Sequence, residues 1–284
     1  MLARPAIAEA VYWQHMALRQ GALSGCLAVQ QKHGWERWNQ SVPQLLLLGG
    51  LEGAGHHAAQ TLLQHTARGS KDTTVVNLWQ GFTEGSTARV VTPSQLWRDI
   101  CATHHLGCNT PRRGTRVFNV GGSHPFHQPR SASRFIDLMA VAPLDRTLHR
   151  VDARFLFLVR DPLDTVVADS VHRDFASAEV QSRVLELAML YLQHAWDALP
   201  CGNTLLMPYE FLTEHPTLAS AMIGKLLDAD HHMQARLQRA AAAKIQLRRN
   251  VSAGRAAAQL PSAVVQFWND RVAWRWAPAI VGTA

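Results

Sequence analysis

Short apolar blocks alternate with longer stretches of helical periodicity along most of this chain. Leu45–Leu48, Thr73–Leu78, Arg116–Val120, Arg154–Val159 and Thr204–Met207 are strand-sized runs of aliphatic, aromatic and β-branched residues. Apolar positions at helical spacing predict helices over His56–Thr66, Ser94–Thr103, Ser131–Val141, Pro162–Arg173, Ser177–Ala198, Pro216–Leu227, Ala229–Lys244 and Pro261–Val272. Strands that alternate with helices of this length read as βαβ units around a mostly parallel sheet, an α/β fold. The first 40 residues are helix-compatible and hold a tryptophan cluster (Trp13, Trp35, Trp38). The expected organisation is therefore a helical extension over 1–40, then a single α/β domain over 41–284. Ligands of parallel sheets sit beyond the carboxyl ends of the strands, so the strand-to-helix junctions are where chemistry is sought.

Composition narrows the class. Of the 284 residues 47% are hydrophobic and 17% charged, which excludes a disordered or fibrous chain. No apolar run approaches the roughly 20 residues that a membrane-spanning helix needs. Net charge is +7, and only four of the 28 basic residues are Lys (Lys32, Lys71, Lys225, Lys244), the rest being Arg. Arginine suits planar, bidentate binding of phosphate-like anions. The basic residues are scattered, with pairs only at Arg112-Arg113 and Arg248-Arg249, so a small polyanion is expected rather than a nucleic acid. Cys26, Cys101, Cys108 and Cys201 show no CxxC spacing and are too few for a disulfide framework, although a Cys101–Cys108 bridge is open in an oxidising compartment. Glu9, His15 and Arg19 interrupt any secretory core near the start, which favours a cytoplasmic protein. A Golgi or organellar lumen is the alternative if a targeting segment was trimmed.

The first junction, LLLLGGLEGAGHHAAQTLL, runs strand, glycine-rich loop, helix. Gly49, Gly50, Gly53 and Gly55 allow the backbone to come close to a ligand, and successive N–H groups can face one concavity at the positive end of the next helix. This phosphate cradle resembles a P-loop without its Lys, because His56-His57 stand there instead, which disfavours ordinary nucleotide hydrolysis with magnesium. Adjacent histidines project about 100° apart on a helix and do not form a metal pair.

The second junction, RFLFLVRDPLDTVVADSVHR, ends a buried strand on Arg160. Asp161 as N-cap and Pro162 at the first helical position start the next helix. Arg160 is expected to project into the same crevice as the first loop.

A strand–glycine loop–helix followed by strand-R-[DN]-P-helix resembles the sulfotransferases that use 3'-phosphoadenosine 5'-phosphosulfate (PAPS). The segment LLMPYEFLTEHPTLASAMIGKLLD is similar to that family's strand, R-Y-E-D-L-x-x-[DN]-P and helix, with Tyr209, Glu210 and Pro216 in register. RRNVSAGRAAAQLP is similar to its late basic loop. The resemblance spans about residues 43 to 272 in the family's order. It implies a P-loop-like three-layer sandwich around a central, mostly parallel sheet. It also implies that Gly50, Gly53, Ala54, Gly55, His56 and His57 cradle the 5'-phosphosulfate, and that Arg160 binds the 3'-phosphate. Tyr209 would lie near the adenosine, and Arg249, Ser252, Gly254 and Arg255 near the 3'-phosphate. Two positions depart from the pattern. Glu52 stands where the loop's Lys or Arg is usual, and Ala168 holds the register of the family's Ser, with Ser170 two residues on. His56 or His57 is the expected substitute for the missing cation, and backbone amides the expected partners of the 3'-phosphate.

Sulfuryl transfer needs in-line geometry, charge stabilisation and a base for the acceptor's proton. VFNVGGSHPFHQP is similar to the family's strand-K-T-H-x-P segment, which makes His124 the expected base, with His127 second and Glu52 on the first loop an alternative. The expected activity is sulfuryl transfer from PAPS to a hydroxyl or amine of a small-molecule or carbohydrate acceptor, leaving adenosine 3',5'-bisphosphate, with no metal. Two rivals stay open: a P-loop kinase-like phosphotransferase, and a non-catalytic relative that binds nucleotide or sugar.

Overall fold

The computed structural model describes residues 38, 40–50, 55–76, 114–123, 151–171, 177–186, 189, 203–244 and 258–270. The expected helices Ser94–Thr103 and Ser131–Val141, the chain before Trp38 and all four cysteines lie outside the described residues. The described residues belong to two compact units.

The larger unit holds a five-stranded sheet: β1 Gln44–Gly50, β2 Thr73–Val76, β3 Arg116–Ser123, β4 Asp152–Val159 and β5 Thr204–Pro208. The strand order is β2-β3-β1-β4-β5, and every neighbouring pair is parallel. All of β1 is buried, as is β4 from Asp152 to Leu158. That accounts for their unbroken apolar runs, since a strand covered on both faces has no solvent side to keep polar. Helix α1, His56–Ala67, packs on β2 and β3 through Ala59, Leu62 and Leu63.

Further along the chain, α3 (Tyr209–Glu214) and α4 (Pro216–Leu226) pack on β5, and α5 (His231–Lys244) packs on α4 and α1. The result is a central parallel sheet flanked by helices, the architecture the alternating pattern predicts. A Cβ on Gly224 would fall on the terminal amide of Gln234 of α5, which would have to swing aside.

Polar residues tie the amino ends of the strands to the end of α4. Arg154, 2% exposed, donates from Nε and Nη2 to both carboxylate oxygens of Asp152 (2.9 and 2.7 Å) and from Nη1 to the Leu226 carbonyl (3.0 Å). Gln44 Nε2 donates to the Leu227 carbonyl at 3.0 Å, and its Oε1 accepts from Arg116 Nε at 3.2 Å. Arg116 Nη2 reaches the Asp228 carbonyl at 3.2 Å, and its guanidinium lies 4.2 Å from the Trp38 ring centre. Burial pushes the Arg116 pKa down, against the opposing pull of Asp230 and Asp228. Helix α4 closes in a Schellman turn, with Ala229 N–H to the Gly224 carbonyl and Asp228 N–H to the Lys225 carbonyl, and Asp228 in the left-handed region at φ +46°. Carbonyls that end a helix thus meet two guanidiniums, the favourable sign for that end of the dipole.

Helix α5 begins two residues later than the periodicity predicts, because Asp230 is its cap. Asp230 Oδ1 accepts from Met233 N–H at 2.8 Å. That amide holds the Asp230 carboxyl below its ordinary range; burial opposes the shift, and Arg116 adds to it. A depressed carboxyl stabilises the fold above its unfolded value, near about pH 4, and the benefit is lost as pH falls through the lower folded value. Asp230→Ala is expected to lower stability by about 1 kcal/mol at pH 7. Denaturant titrations of both proteins should show the gap closing below about pH 4.

The smaller unit contains α2, Pro162–Val166, and helical residues 262–270. Asp161 caps α2 by accepting from Leu163 N–H (2.8 Å) and Asp164 N–H (3.2 Å), with Pro162 at the first position, as the Asp-Pro pair predicts. The helix expected to continue to Arg173 opens instead into a π turn over Val167–Val171. Ser170 Oγ donates to the Val166 carbonyl at 2.6 Å in that turn, the kind of back-bond that competes with a regular ladder. Trp268 is buried and donates from Nε1 to Ser182 Oγ at 3.0 Å, while the Arg183 guanidinium lies over the Phe267 ring. Among the described residues no helix is long and apolar enough to cross a membrane.

Candidate functional site

The strand order selects one end of one strand pair. From β1 the chain runs to β2 at one edge of the sheet, whereas from β4 it runs to β5 at the other. β1 and β4 are neighbours, so their carboxyl ends form a topological switch point, where connections leave in opposite directions and a crevice opens. Gly50 closes β1 level with Leu158 of β4, which puts Arg160 two residues beyond that level. On the other side of β4, Val159 is paired with Pro208, so Arg160 and Tyr209 are the next residues on neighbouring chains.

Two glycines make this end of the sheet tight. A Cβ on Gly50 would lie 2.4 Å from the Leu158 carbonyl oxygen and 3.1 Å from His56 Cε1, so only a bare backbone fits between β4 and the His56 ring. Gly55, at φ +97°, is the N-cap of α1, and its carbonyl accepts from Ala58 and Ala59. A Cβ there would fall 2.2 Å from Tyr209 Cδ2 and 2.8 Å from Cε2. Gly55 is therefore required twice, by a left-handed backbone and by the ring pressed against it. The Arg160 guanidinium carbon lies 4.8 Å from the centre of that same ring.

Gly50, Gly55, His56, Arg160 and Tyr209 are thus brought together by β1, α1, β4 and α3. His56 is half-buried beside Gly50, while His57 is exposed one position further round the helix, its carbonyl accepting from Thr61 Oγ1 at 2.8 Å. The first-turn amides of α1 point from the helix's positive end, and together with the Arg160 guanidinium they form a set of donors suited to anions. Ser170 lies in the π turn of the smaller unit with its hydroxyl on the Val166 carbonyl. Glu52, Gly53, Ala54, His124, Glu210 as a side chain, Arg249, Ser252, Gly254 and Arg255 lie outside the described residues. Among the described residues no three His, Cys, Asp or Glu side chains gather as a metal site.

The sequence pattern contains no helix at Tyr209–Glu214, yet α3 is what turns the Tyr209 ring toward Gly55 and Arg160. Six residues are too few for a helical period to register. The usable signal was Pro208, which ends a strand that then has to change direction.

No protein-family model matches the chain, and no curated protein matches it in sequence. Three solved structures similar to it are all sulfotransferases. Mouse sulfotransferase SULT7A1, solved in complex with PAP, is 15% identical over 80% of this chain and 73% of its own, with a TM-score of 0.37. The sulfotransferase domain of the Synechococcus PCC 7002 olefin synthase is 11% identical over 84% of this chain and 98% of its own, with a TM-score of 0.43. A sulfotransferase from Alicyclobacillus acidocaldarius is 12% identical over 78% of this chain and 98% of its own, with a TM-score of 0.40.

Proposed function

We propose that this chain transfers a sulfuryl group from PAPS to a hydroxyl or amine of a small-molecule or carbohydrate acceptor. The observation that carries the proposal is the meeting, at one switch point, of a glycine-limited turn into α1 and the arginine that follows the neighbouring strand. A nucleotide phosphorylated at both ends needs that pairing: close-approach backbone amides for one phosphate and a guanidinium for the other. The residues present fit such a ligand. The space that a Cβ would fill at Gly50 and Gly55 is taken up by neighbouring groups, so both positions hold the backbone in the tight course a cradle needs.

In this reading the amides of residues 50–57 bind the phosphosulfate, and Arg160 binds the 3'-phosphate. His56, beside Gly50, supplies the positive charge that Glu52 cannot. His124 takes the acceptor's proton, with Glu52 the alternative base. The acceptor oxygen or nitrogen forms a bond to sulfur as the sulfur–oxygen bond to the 5'-phosphate breaks, and the electron pair leaves on adenosine 3',5'-bisphosphate. The chain's contribution is alignment and charge stabilisation, the terms on which group transfer mainly depends.

Purified protein incubated with sulfur-labelled PAPS and a panel of sugars, phenols, alcohols and amines tests this. Label on an acceptor, together with calorimetric binding of adenosine 3',5'-bisphosphate, is the expected result. Stabilisation by ATP with magnesium but not by the bisphosphate would replace it with phosphotransfer. Bisphosphate binding without transfer to any acceptor would make the chain a nucleotide-binding protein.

A further inference from the structure

Arginine at the end of a strand is a long side chain with much rotamer freedom, and fixing it on a phosphate costs side-chain entropy. Here that freedom is restrained by a ring. Tyr209 is the next residue along from Arg160 on the adjacent strand path, and the guanidinium lies over its ring at 4.8 Å. The Cδ2–Cε2 side of the same ring presses on Gly55, where even a methyl group is excluded. One aromatic side chain therefore touches both groups to which the proposed function assigns the two ends of the nucleotide.

We propose that Tyr209 is a positioning residue: its ring holds the Arg160 guanidinium and the Gly55 turn in one fixed arrangement, so that both phosphate-binding groups are set before the nucleotide arrives. This rests on the reading that Arg160 binds a phosphate. It changes the part the resemblance implies for Tyr209, from contact with the adenosine to support of the groups that hold the phosphates. The ring qualifies because it offers a cation a π face and offers glycine a flat, stiff edge with only two torsions to fix.

The test is a cycle of calorimetric titrations with adenosine 3',5'-bisphosphate on the wild type, Tyr209→Phe, Tyr209→Leu, Arg160→Ala and the Arg160→Ala/Tyr209→Leu pair. Tyr209→Leu is expected to weaken binding about tenfold, the scale of a partly desolvated cation–π contact. Tyr209→Phe keeps the ring and should stay within about twofold of the wild type. The pair should lose clearly less than the sum of the two single losses, because the part of the Tyr209 effect that runs through Arg160 is already gone, leaving only the part that runs through the Gly55 turn. Additive losses in the pair would overturn the proposal, since they would mean that Tyr209 does not act through Arg160. Unchanged affinity in Tyr209→Leu would overturn it too. Tyr209→Met, unbranched and better able to fill the space left by the ring, replaces Tyr209→Leu if the latter does not fold.

A second measurement needs no nucleotide. Phenylglyoxal modification of Arg160 in the ligand-free protein, followed by peptide mass spectrometry, should be several-fold faster in Tyr209→Leu and at the wild-type rate in Tyr209→Phe. Equal rates in all three would end the positioning role. Failure of the wild type to bind the bisphosphate would instead end the functional reading, and the modification rates would still decide the role of Tyr209.

Discussion

Arg160→Ala is expected to weaken binding of adenosine 3',5'-bisphosphate by about 2 kcal/mol or more, roughly 30-fold in affinity. That figure is the loss of one charge-assisted pair with a phosphate, made by a guanidinium already held over the Tyr209 ring. The backbone at the site should survive, because β4 is buried from Asp152 to Leu158 and closes before Arg160. Arg160→Lys separates the components. It keeps the charge but gives up the planar fork and its stacking, so its affinity should fall between those of Arg160→Ala and the wild type. Calorimetry reads both variants, and the weakening should shrink as salt is raised. Wild-type affinity in Arg160→Ala would remove Arg160 from the site, and with it the argument from the switch point.

The strands were legible because burial on both faces writes itself as unbroken apolar runs, and Leu45–Leu48 and Phe155–Leu158 lie in the central strand and one of its neighbours. The glycine-limited turn into α1 was legible for a different reason: a Cβ at Gly50 or Gly55 would collide with neighbouring groups, so the glycines mark the geometry directly. What the pattern missed sits mainly at the opposite end of the sheet. It predicts β1 from Leu45 and β4 from Arg154, whereas the strands begin at Gln44 and Asp152. Hydrophobic patterning treats Gln44, Asp152 and Arg154 as boundaries, yet all three are buried: Asp152 pairs with Arg154, and Gln44 and Arg154 meet carbonyls contributed by distant residues. Those partners, the carbonyls at Leu226 and Leu227, become visible only once α4 has docked. The π turn at Val167–Val171 was hidden for a local reason. Its residues fit a helical stripe, and the Ser170 hydroxyl on the Val166 carbonyl is a local contact that periodicity does not report.

The buried pair at the amino end of β4 sets the largest expected loss of stability. Asp152→Ala should destabilise the protein by about 3–5 kcal/mol, because it leaves the Arg154 guanidinium inside the fold without its counter-charge. Arg154 is 2% exposed, and without Asp152 its guanidinium keeps the hydrogen bond to the Leu226 carbonyl at 3.0 Å but no counter-charge. A domain of this kind is stable by only about 5–15 kcal/mol, so much of the folded population is at stake. Denaturant unfolding should show a lower midpoint at an unchanged slope, the sign of lost stability rather than of a changed unfolded state. The doubly substituted Asp152→Val/Arg154→Met should recover most of the loss, since removing both charges also removes the desolvation that each imposes. If Asp152→Ala cost less than about 1 kcal/mol, the pair would be energetically a surface pair. The tie between β4 and the end of α4 would then have to rest on packing around Leu226 and Leu227 alone. Recovery in the double variant would show that the buried pair adds little net stability and that the apolar strands around it supply most of it.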